Sequence, residues 1–403
     1  MLRFIFLFIF FINGLVMAQL ISPDEINQFH QKAFVADLHC DAIGRFLRGI
    51  DLTKNNPTGH VDIPKLKAGG IDLQVFACFS PAPQNESEKW QAAKRVLRQI
   101  DAVYNLVEKN EQDLMLITTA EQIDQLKKSN KIGIMIGIEG GYAIENEIAL
   151  LRDFYRLGVR IMTLTHWTHT DWADASGDTA VTFGGLNPLG EQIVKEMNRL
   201  GMIVDVSHVH DQTFWDVMNV SSKPVVASHS CCRALSEHHR NLSDEMLRAL
   251  AENGGMVGIN FEPGYLKAEF WHEREQVKKA LAKKLGLPED RNERRKADPE
   301  KLKRFRNELK TETERLLQKY QIDVQLVVDH IEHVIQVTGS FDHVGLGSDF
   351  DGISTTPLGL RNAAFLPNIT RELVKRGYGK AEIEKILGLN FLRVFKEVCR
   401  SER

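Results

Sequence analysis

The run "FVADLHCDAIG" (34–44) begins as an apolar strand and finishes with His39 and Asp41. Residues two apart along a strand point to the same side, so an imidazole and a carboxylate converge there. A single His-x-Asp at a strand end is ordinarily solvated polarity. Here the ending recurs. Glu139 closes "IGIMIGIEG", His166 falls at the end of "VRIMTLTHW", His208 in "MIVDVSHV", His229 in "PVVASHS", and Asp349 and Asp351 in "HVGLGSDFDG". Buried ionisable groups gathered in one place cost on the order of several kcal/mol each unless paired or bound to metal. Imidazole and carboxylate suit zinc, and a catalytic site needs no thiolate. These groups are too many for one four-coordinate ion that keeps a water. Two ions about 3.5–4 Å apart, bridged by a carboxylate, would use them. Glu139 is the natural bridge: it is the lone acid of a very apolar strand, and Gly140-Gly141 let backbone approach closely. Water between two such ions loses a proton near neutral pH, its pKa falling from 15.7 to about 7, and becomes a nucleophile for a carbonyl. The chemistry implied is metal-assisted hydrolysis.

Such ends must be brought together by a scaffold. Eight short apolar runs recur: 34–41, 71–79, 132–140, 159–167, 202–209, 224–230, 255–261 and 343–352. Amphipathic stretches separate them, for example "NPLGEQIVKEMNRLG", which opens on Asn187-Pro188 and closes on Gly201. Continuous apolar runs alternating with helices predict a parallel sheet covered on its outer face, and a (β/α)8 TIM barrel is the economical closure. Active sites in such barrels lie at the carboxyl ends of the strands, and the barrel itself takes about 250 residues. A chain of 403 residues therefore carries extras. The clearest is 265–321, dense in Lys, Arg and Glu, which predicts two helices inserted after strand seven with a solvated charged face.

The composition is that of an ordinary globular protein, 43% hydrophobic and 26% charged with net charge −3, which gives no reason to expect a nucleic-acid partner. The first residues differ. One Arg, an apolar run from Phe4 to Phe11 and the small-residue site at Val16 and Ala18 have the layout of a secretory signal peptide over 1–18, cleaved near Ala18. Residues 19–403 are then expected to form a single secreted or periplasmic hydrolase domain with no membrane-spanning segment. Five cysteines (Cys40, Cys78, Cys231, Cys232 and Cys399) form no CxxC pair and, being odd in number, leave at least one thiol free or paired between chains.

The ordered set "DLHCD", "GIEGG", "LTHWTHTDWAD", "VDVSHV", "SHS", "HHRNLSD" and "VGLGSDFDG" resembles the membrane (renal-type) dipeptidase family of the amidohydrolase-like barrels. "HVDIPKLKAGG" and the late "GLNFLRVFKEV" extend the likeness over nearly the whole chain. The resemblance implies two zinc ions, one held by His39, Asp41 and Glu139, the other by Glu139, His208 and His229. By the same resemblance His166 stabilises the tetrahedral oxyanion and Arg240 holds the substrate's free carboxylate. Asp349 moves a proton to the leaving amine, Asp351 stays outside the ligand set, and Tyr265 is placed to contact substrate. The implied activity is hydrolysis of small dipeptides, including those with a D-residue second, by a metal-bridging hydroxide. The implied assembly is a homodimer. Another metal-dependent amidohydrolase, acting on acylated amines or lactams, is the rival enzyme reading, and a non-catalytic binding protein the rival outside enzymes.

The sequence also departs from the mammalian members. Tyr142 stands where they carry a histidine, the insert is longer, and no apolar tail follows "VCRSER". His30, His60, His272, His330 and His333 read as surface or satisfied core, whereas His169, His210, His238 and His239 lie beside site residues. Trp167 and Trp172 flank the loop after strand four, where core packing and a substrate wall are both open readings.

Overall fold

The computed structural model describes residues 22–399 except 179, 291, 292 and 295, so the signal peptide expected at 1–18 lies outside the described residues. Nine parallel strands follow in order: β1 (Val35–Cys40), β2 (Ile71–Phe79), β3 (Leu114–Leu116), β4 (Ile132–Glu139), β5 (Val159–Thr163), β6 (Ile203–Asp205), β7 (Val226–Ser230), β8 (Met256–Ile259) and β9 (Val344–Leu346). β2 pairs with β4 from Leu73↔Gly133 to Phe79↔Glu139, bypassing β3, and β1 pairs with both β2 and β9. Eight strands thereby close a ring, the expected (β/α)8 barrel. β3 is a ninth strand that the sequence pattern did not reveal. It borders only the first half of β4, and β5 takes the second half. Three residues are too few to carry a periodic signal.

The alternation within β4 fixes what faces inward. Ile132, Ile134, Ile136 and Ile138 pack outward into the large cluster shared with the helices. The other parity reads Gly133, Met135, Gly137, Glu139. Met135 packs with Leu73, Val75, Ile161, Ile203, Val226 and Met256. Six strands meeting in one cluster is possible only inside a closed barrel. Phe391 and Phe395 of the terminal helix Asn390–Val398 join that cluster and plug the end where the strands begin. A Cβ at Gly137 would lie 3.0 Å from Ile161 and 3.1 Å from Val75, so this layer has no room for one. Glu139 is the last inward position of the strand, above an apolar floor.

Three strands stop sooner than the sequence suggested. The apolar runs reach His166, His208 and Asp351, but the ladders end at Thr163, Asp205 and Leu346. His208 (φ 71°), Asp349 (φ 58°) and Asp351 (φ 67°) adopt left-handed backbone, which a continuing strand cannot hold. Polar residues therefore sit on the first turns beyond the strands. No helix among the described residues is long and apolar enough to cross a membrane, and all five cysteines are free and buried.

Between β8 and β9 lie the helices Ala268–Lys284 and Pro299–Lys319. Ala282, Leu285, Leu287 and Phe305 give them a small core of their own. Exposed pairs such as Lys284–Glu308 (2.8 Å) decorate the surface and add little stability.

His330, in the helix Val324–Thr338, joins this region to the barrel. Its Nδ1 accepts from the Cys232 N–H at 3.1 Å, leaving Nε2–H to donate to the Leu266 carbonyl at 3.1 Å. Burial lowers its pKa to about 4, against the pull of that carbonyl. The unfolded chain takes up this proton below about pH 6.5, whereas the fold refuses it until about pH 4. Stability of on the order of 3 kcal/mol is therefore lost as pH falls through that window. Denaturant titrations of metal-free protein should give a pH slope between those limits that is shallower by about one proton in His330→Gln. An unchanged slope would refute the assignment.

Candidate active site

Seven polar side chains converge where the strands end. Glu139 lies at their centre, and its two oxygens face different neighbours. Oε1 is 3.1 Å from His208 Nε2, 3.5 Å from His229 Nε2 and 3.8 Å from His166 Nε2. Oε2 is 3.7 Å from His39 Nε2, which lies 3.4 Å from Asp41 Oδ2. The imidazoles crowd one another: ring centroids are 3.9 Å apart for His39–His229 and 4.5 Å for His166–His208. Three overlapping trios, His39/Glu139/His229, Glu139/His166/His208 and His39/Asp41/Asp349, each bring one ligand atom per residue within 4.8 Å of the others.

Several features suit this set to divalent metal. His39 Nε2 is buried with no hydrogen-bond partner among the described residues. The tautomer of His229 can be deduced. Ser228 donates its hydroxyl proton to Asp205 Oδ2 at 2.6 Å, so its oxygen accepts from His229 Nδ1–H at 2.7 Å. His229 Nε2 is therefore a bare lone pair, and it faces His208 Nε2 at only 2.9 Å. This carboxylate–hydroxyl–imidazole chain has the form by which outer partners orient metal-ligating histidines. Asp205 is itself held by Thr163 Oγ1 at 2.5 Å and by the N–H groups of Ser207 and Ser228, both at 2.9 Å.

Charge and burial pull the site in opposite directions. Burial drives the Asp349 and Asp41 pKa values up. Burial would also raise Glu139, but the His39 and His166 charges beside it hold it well below the usual carboxylate range. Burial lowers His208 well below its ordinary value and takes His229 to about 3. His39 goes the other way, because Glu139 and Asp41 overcome its burial. Perturbations this large in one cluster are characteristic of functional centres.

Arg240 sits on the β7 side of the site. It is buried, with NH2 donating to the His229 carbonyl at 3.1 Å and NH1 to Ser230 Oγ at 3.4 Å. Its Nε has no partner, and no carboxylate among the described residues pairs with it. Its guanidinium carbon lies 5.3 Å from the Tyr265 ring. Trp167 and Tyr265 line a cavity of about 1310 Å³, together with Asp41, Glu139, His166, His208 and Asp349. Trp172 is fully buried in the core.

Comparison with known proteins now bears on this geometry. The model of the membrane dipeptidase family, peptidase family M19, matches residues 23–403. The chain belongs to that family. Among curated relatives, dipeptidase verJ of Clonostachys rogersoniana is 32% identical over 352 residues, covering 86% of this chain and 77% of the relative. An uncharacterized dipeptidase of Schizosaccharomyces pombe is 33% identical over 357 residues, covering 85% and 73%. A metallo peptidase from Rhodobacter sphaeroides, solved with a phosphinate mimic of the dipeptide L-Ala-D-Ala, superposes with a TM-score of 0.71 at 25% identity over 91% of this chain and 99% of its own. The probable dipeptidase PvdM from Pseudomonas aeruginosa shares the fold, with a TM-score of 0.78 at 24% identity over 94% and 98%. The chain is thus an M19 metallo-dipeptidase, a hydrolase.

Within this M19 fold, other sequence candidates fall elsewhere. Asp351 lies outside the three trios. It accepts from Arg45 at 3.1 Å and from the His60 and Val61 N–H groups at 2.8 and 3.1 Å, anchoring the segment after β1. His30 is buried against Thr370 and the Gly69 carbonyl. His333 bonds Asp244 at 2.7 Å. His169 Nδ1 accepts from the Ala175 N–H, His210 caps the helix Asp211–Val220, and His238 and His239 stack beside Tyr265 and Trp167. Tyr142 donates to the Thr168 carbonyl, tying the turn after β4 to the loop that carries Trp167. Asn260 went unnoticed in the sequence. It ends the one late strand that seemed to bring nothing polar, and its Nδ2 donates to Asp349 Oδ2 at 3.1 Å and to the His229 carbonyl at 3.3 Å.

Gly352 leaves room for two of the carboxylates. A Cβ there would lie 2.2 Å from Asp349 Oδ1 and 2.4 Å from Asp41 Oδ2, with no left-handed backbone to strain. Gly352→Ala should therefore melt near wild type yet bind divalent metal at least about tenfold more weakly by calorimetry, in line with losses on disturbing ligand supports. Normal metal affinity would show that the two carboxylates are not needed where they stand.

Proposed function

We propose that this chain is a dinuclear-zinc dipeptidase that hydrolyses small dipeptides with a free C-terminal carboxylate and accepts a D-residue second. The observation carrying the dinuclear reading is Glu139, one oxygen toward His39 and the other toward His208 and His229. In this reading His39, Asp41 and Glu139 hold one zinc, and Glu139, His208 and His229 the other. Bound zinc lowers the pKa of water from 15.7 to about 7 and so supplies a hydroxide nucleophile near neutral pH.

The chain's own groups do the rest. Arg240 is a buried cation with no acid paired to it among the described residues, a state costing several kcal/mol in general, which a substrate carboxylate would relieve by the two-pronged pairing that guanidinium favours. His166 lines the cavity beside Glu139, where an N–H aimed at the carbonyl oxygen stabilises negative charge as it develops. Asp349, whose pKa burial raises, is the acid that hands a proton to the leaving amine, and Asn260 fixes its orientation. The cavity beside Tyr265 and Trp167 is ample for either configuration at the second residue, and the relative bound to an L-Ala-D-Ala mimic supports that breadth. Export rests on the layout of residues 1–18 alone.

The test follows amino-acid release from L-Ala-L-Ala, L-Ala-D-Ala and their C-terminal amides, with zinc and after chelation. Cleavage of the free dipeptides alone, lost on chelation and restored by zinc, is expected. Turnover of the amides at equal rates would instead favour an amidohydrolase acting on acylated amines. Arg240→Ala should cost about a hundredfold in kcat/KM, chiefly through KM, for a lost charged hydrogen-bond pair. Glu139→Gln should lose most activity and part of the zinc, and an unchanged zinc content of two per chain would defeat the bridging role.

A further inference from the structure

The cavity reaches well beyond what a small dipeptide fills, and its outer wall is cationic. Arg48, Arg95, Arg98, Arg274 and Arg306 line it. Arg48, Arg98 and Arg306 make no ion pair with any described residue, and Arg95 meets Glu88 only at 3.7 Å. Two guanidinium atoms here, Arg95 NH1 and Arg274 Nε, are buried with no hydrogen-bond partner among the described residues. The acids lining the same cavity offer little compensation. Asp41, Glu139 and Asp349 belong to the metal cluster, Asp351 is paired with Arg45, and burial raises Glu262 to about 7. One sign of charge on a concave wall focuses the field and draws in the opposite sign.

Ring order says which part of a substrate meets this wall. The strands close in the order β1, β2, β4, β5, β6, β7, β8, β9, which sets β2 across the barrel from β7. Arg240 follows β7, whereas Arg48 ends the turn of helix after β1, and Arg95 and Arg98 lie on the helix Ala92–Glu108 after β2. A dipeptide whose carboxylate rests on Arg240 spans the cluster toward Arg48, Arg95 and Arg98, so its N-terminal side chain faces these three, whereas Arg274 and Arg306 belong to the helices between β8 and β9. Resting on the dipeptidase reading above, we propose that the outer cavity is a subsite for a second carboxylate, and that the preferred substrates are dipeptides with an acidic N-terminal side chain.

The experiment compares kcat/KM for L-Glu-L-Ala, L-Gln-L-Ala and L-Lys-L-Ala on the zinc-loaded enzyme. The first two side chains match in reach and differ in charge, and lysine puts the opposite charge on a slightly longer chain. L-Glu-L-Ala should exceed its glutamine isostere by about tenfold or more, the value of one charge-assisted contact, with L-Lys-L-Ala poorest. The advantage should shrink as salt rises. In the double variant Arg48→Gln/Arg98→Gln, both at exposed positions, the Glu-to-Gln ratio should fall toward one. Cleavage of all three at similar rates, or a ratio untouched by the double variant, would overturn the subsite and leave the dipeptidase reading standing. Cleavage of none, L-Ala-L-Ala included, would instead overturn the dipeptidase reading on which it rests.

Discussion

The carboxylate of Glu139 is a buried charge, and much of the rest follows from having to place it. An isolated carboxylate moved into a low-dielectric interior loses hydration worth of order 20 kcal/mol in the idealised limit and several in practice. The apolar parity of β4 leaves it no polar neighbour on its own strand, since the inward positions below it are Gly137 and Met135. Compensation must come across the barrel, from His39, His166, His208 and His229 on four other strand ends. Only a closed sheet brings five such ends within reach of one side chain. The barrel and the cluster therefore require each other: the floor supplies the hydrophobic stabilisation, and the strand ends spend part of it holding charge.

Holding that charge in a usable form needs a second layer of contacts. Four imidazoles around one acid could satisfy themselves by protonation, and a protonated ring is no ligand. The Asp205–Ser228–His229 chain works against this by committing the Nδ1 proton and leaving Nε2 bare. Asn260 does similar work for Asp349, and Gly352 keeps the space that Asp349 and Asp41 occupy. Left-handed backbone at His208 and Asp349 is part of the same arrangement. Such conformations cost about 1–3 kcal/mol and persist only where the surroundings impose them. Here they swing a side chain back over the barrel mouth just after the ladder has ended.

This division explains what could be read in the sequence. Long apolar runs carried the barrel, because a parallel strand buried on both faces leaves a continuous signal. His39, Asp41 and Glu139 were legible because each falls at or next to the end of such a run. The exact ends of β5, β6 and β9 were not legible, since a turn into left-handed backbone looks the same in sequence as one more strand residue. β3 was missed for want of length. Asn260 and Asp205 were missed for another reason: an amide or a carboxylate that serves only to hold another residue has no distinguishing neighbours, and its role appears when Asp349 or Ser228 is seen across 23 to 89 positions of chain.

The helices between β8 and β9 give the cavity part of its entrance. Their charged sequence reads as a solvated surface, and on the outside it is one, with pairs such as Lys284–Glu308. Their inner side carries Phe305 and Leu309 alongside Arg274 and Arg306 into the cavity. The resulting field is uneven in depth, with acids clustered around the imidazoles at the floor and guanidinium groups on the outer wall. A doubly anionic molecule entering such a cavity is attracted at the rim and repelled by the Glu139 carboxylate at the floor until cations there offset it. Arg240, buried beside His229, supplies one fixed cation on the β7 side, and divalent metal would supply the remainder. The outer charge then selects and orients what the inner cluster acts on, and neither layer has to be rebuilt to change the other.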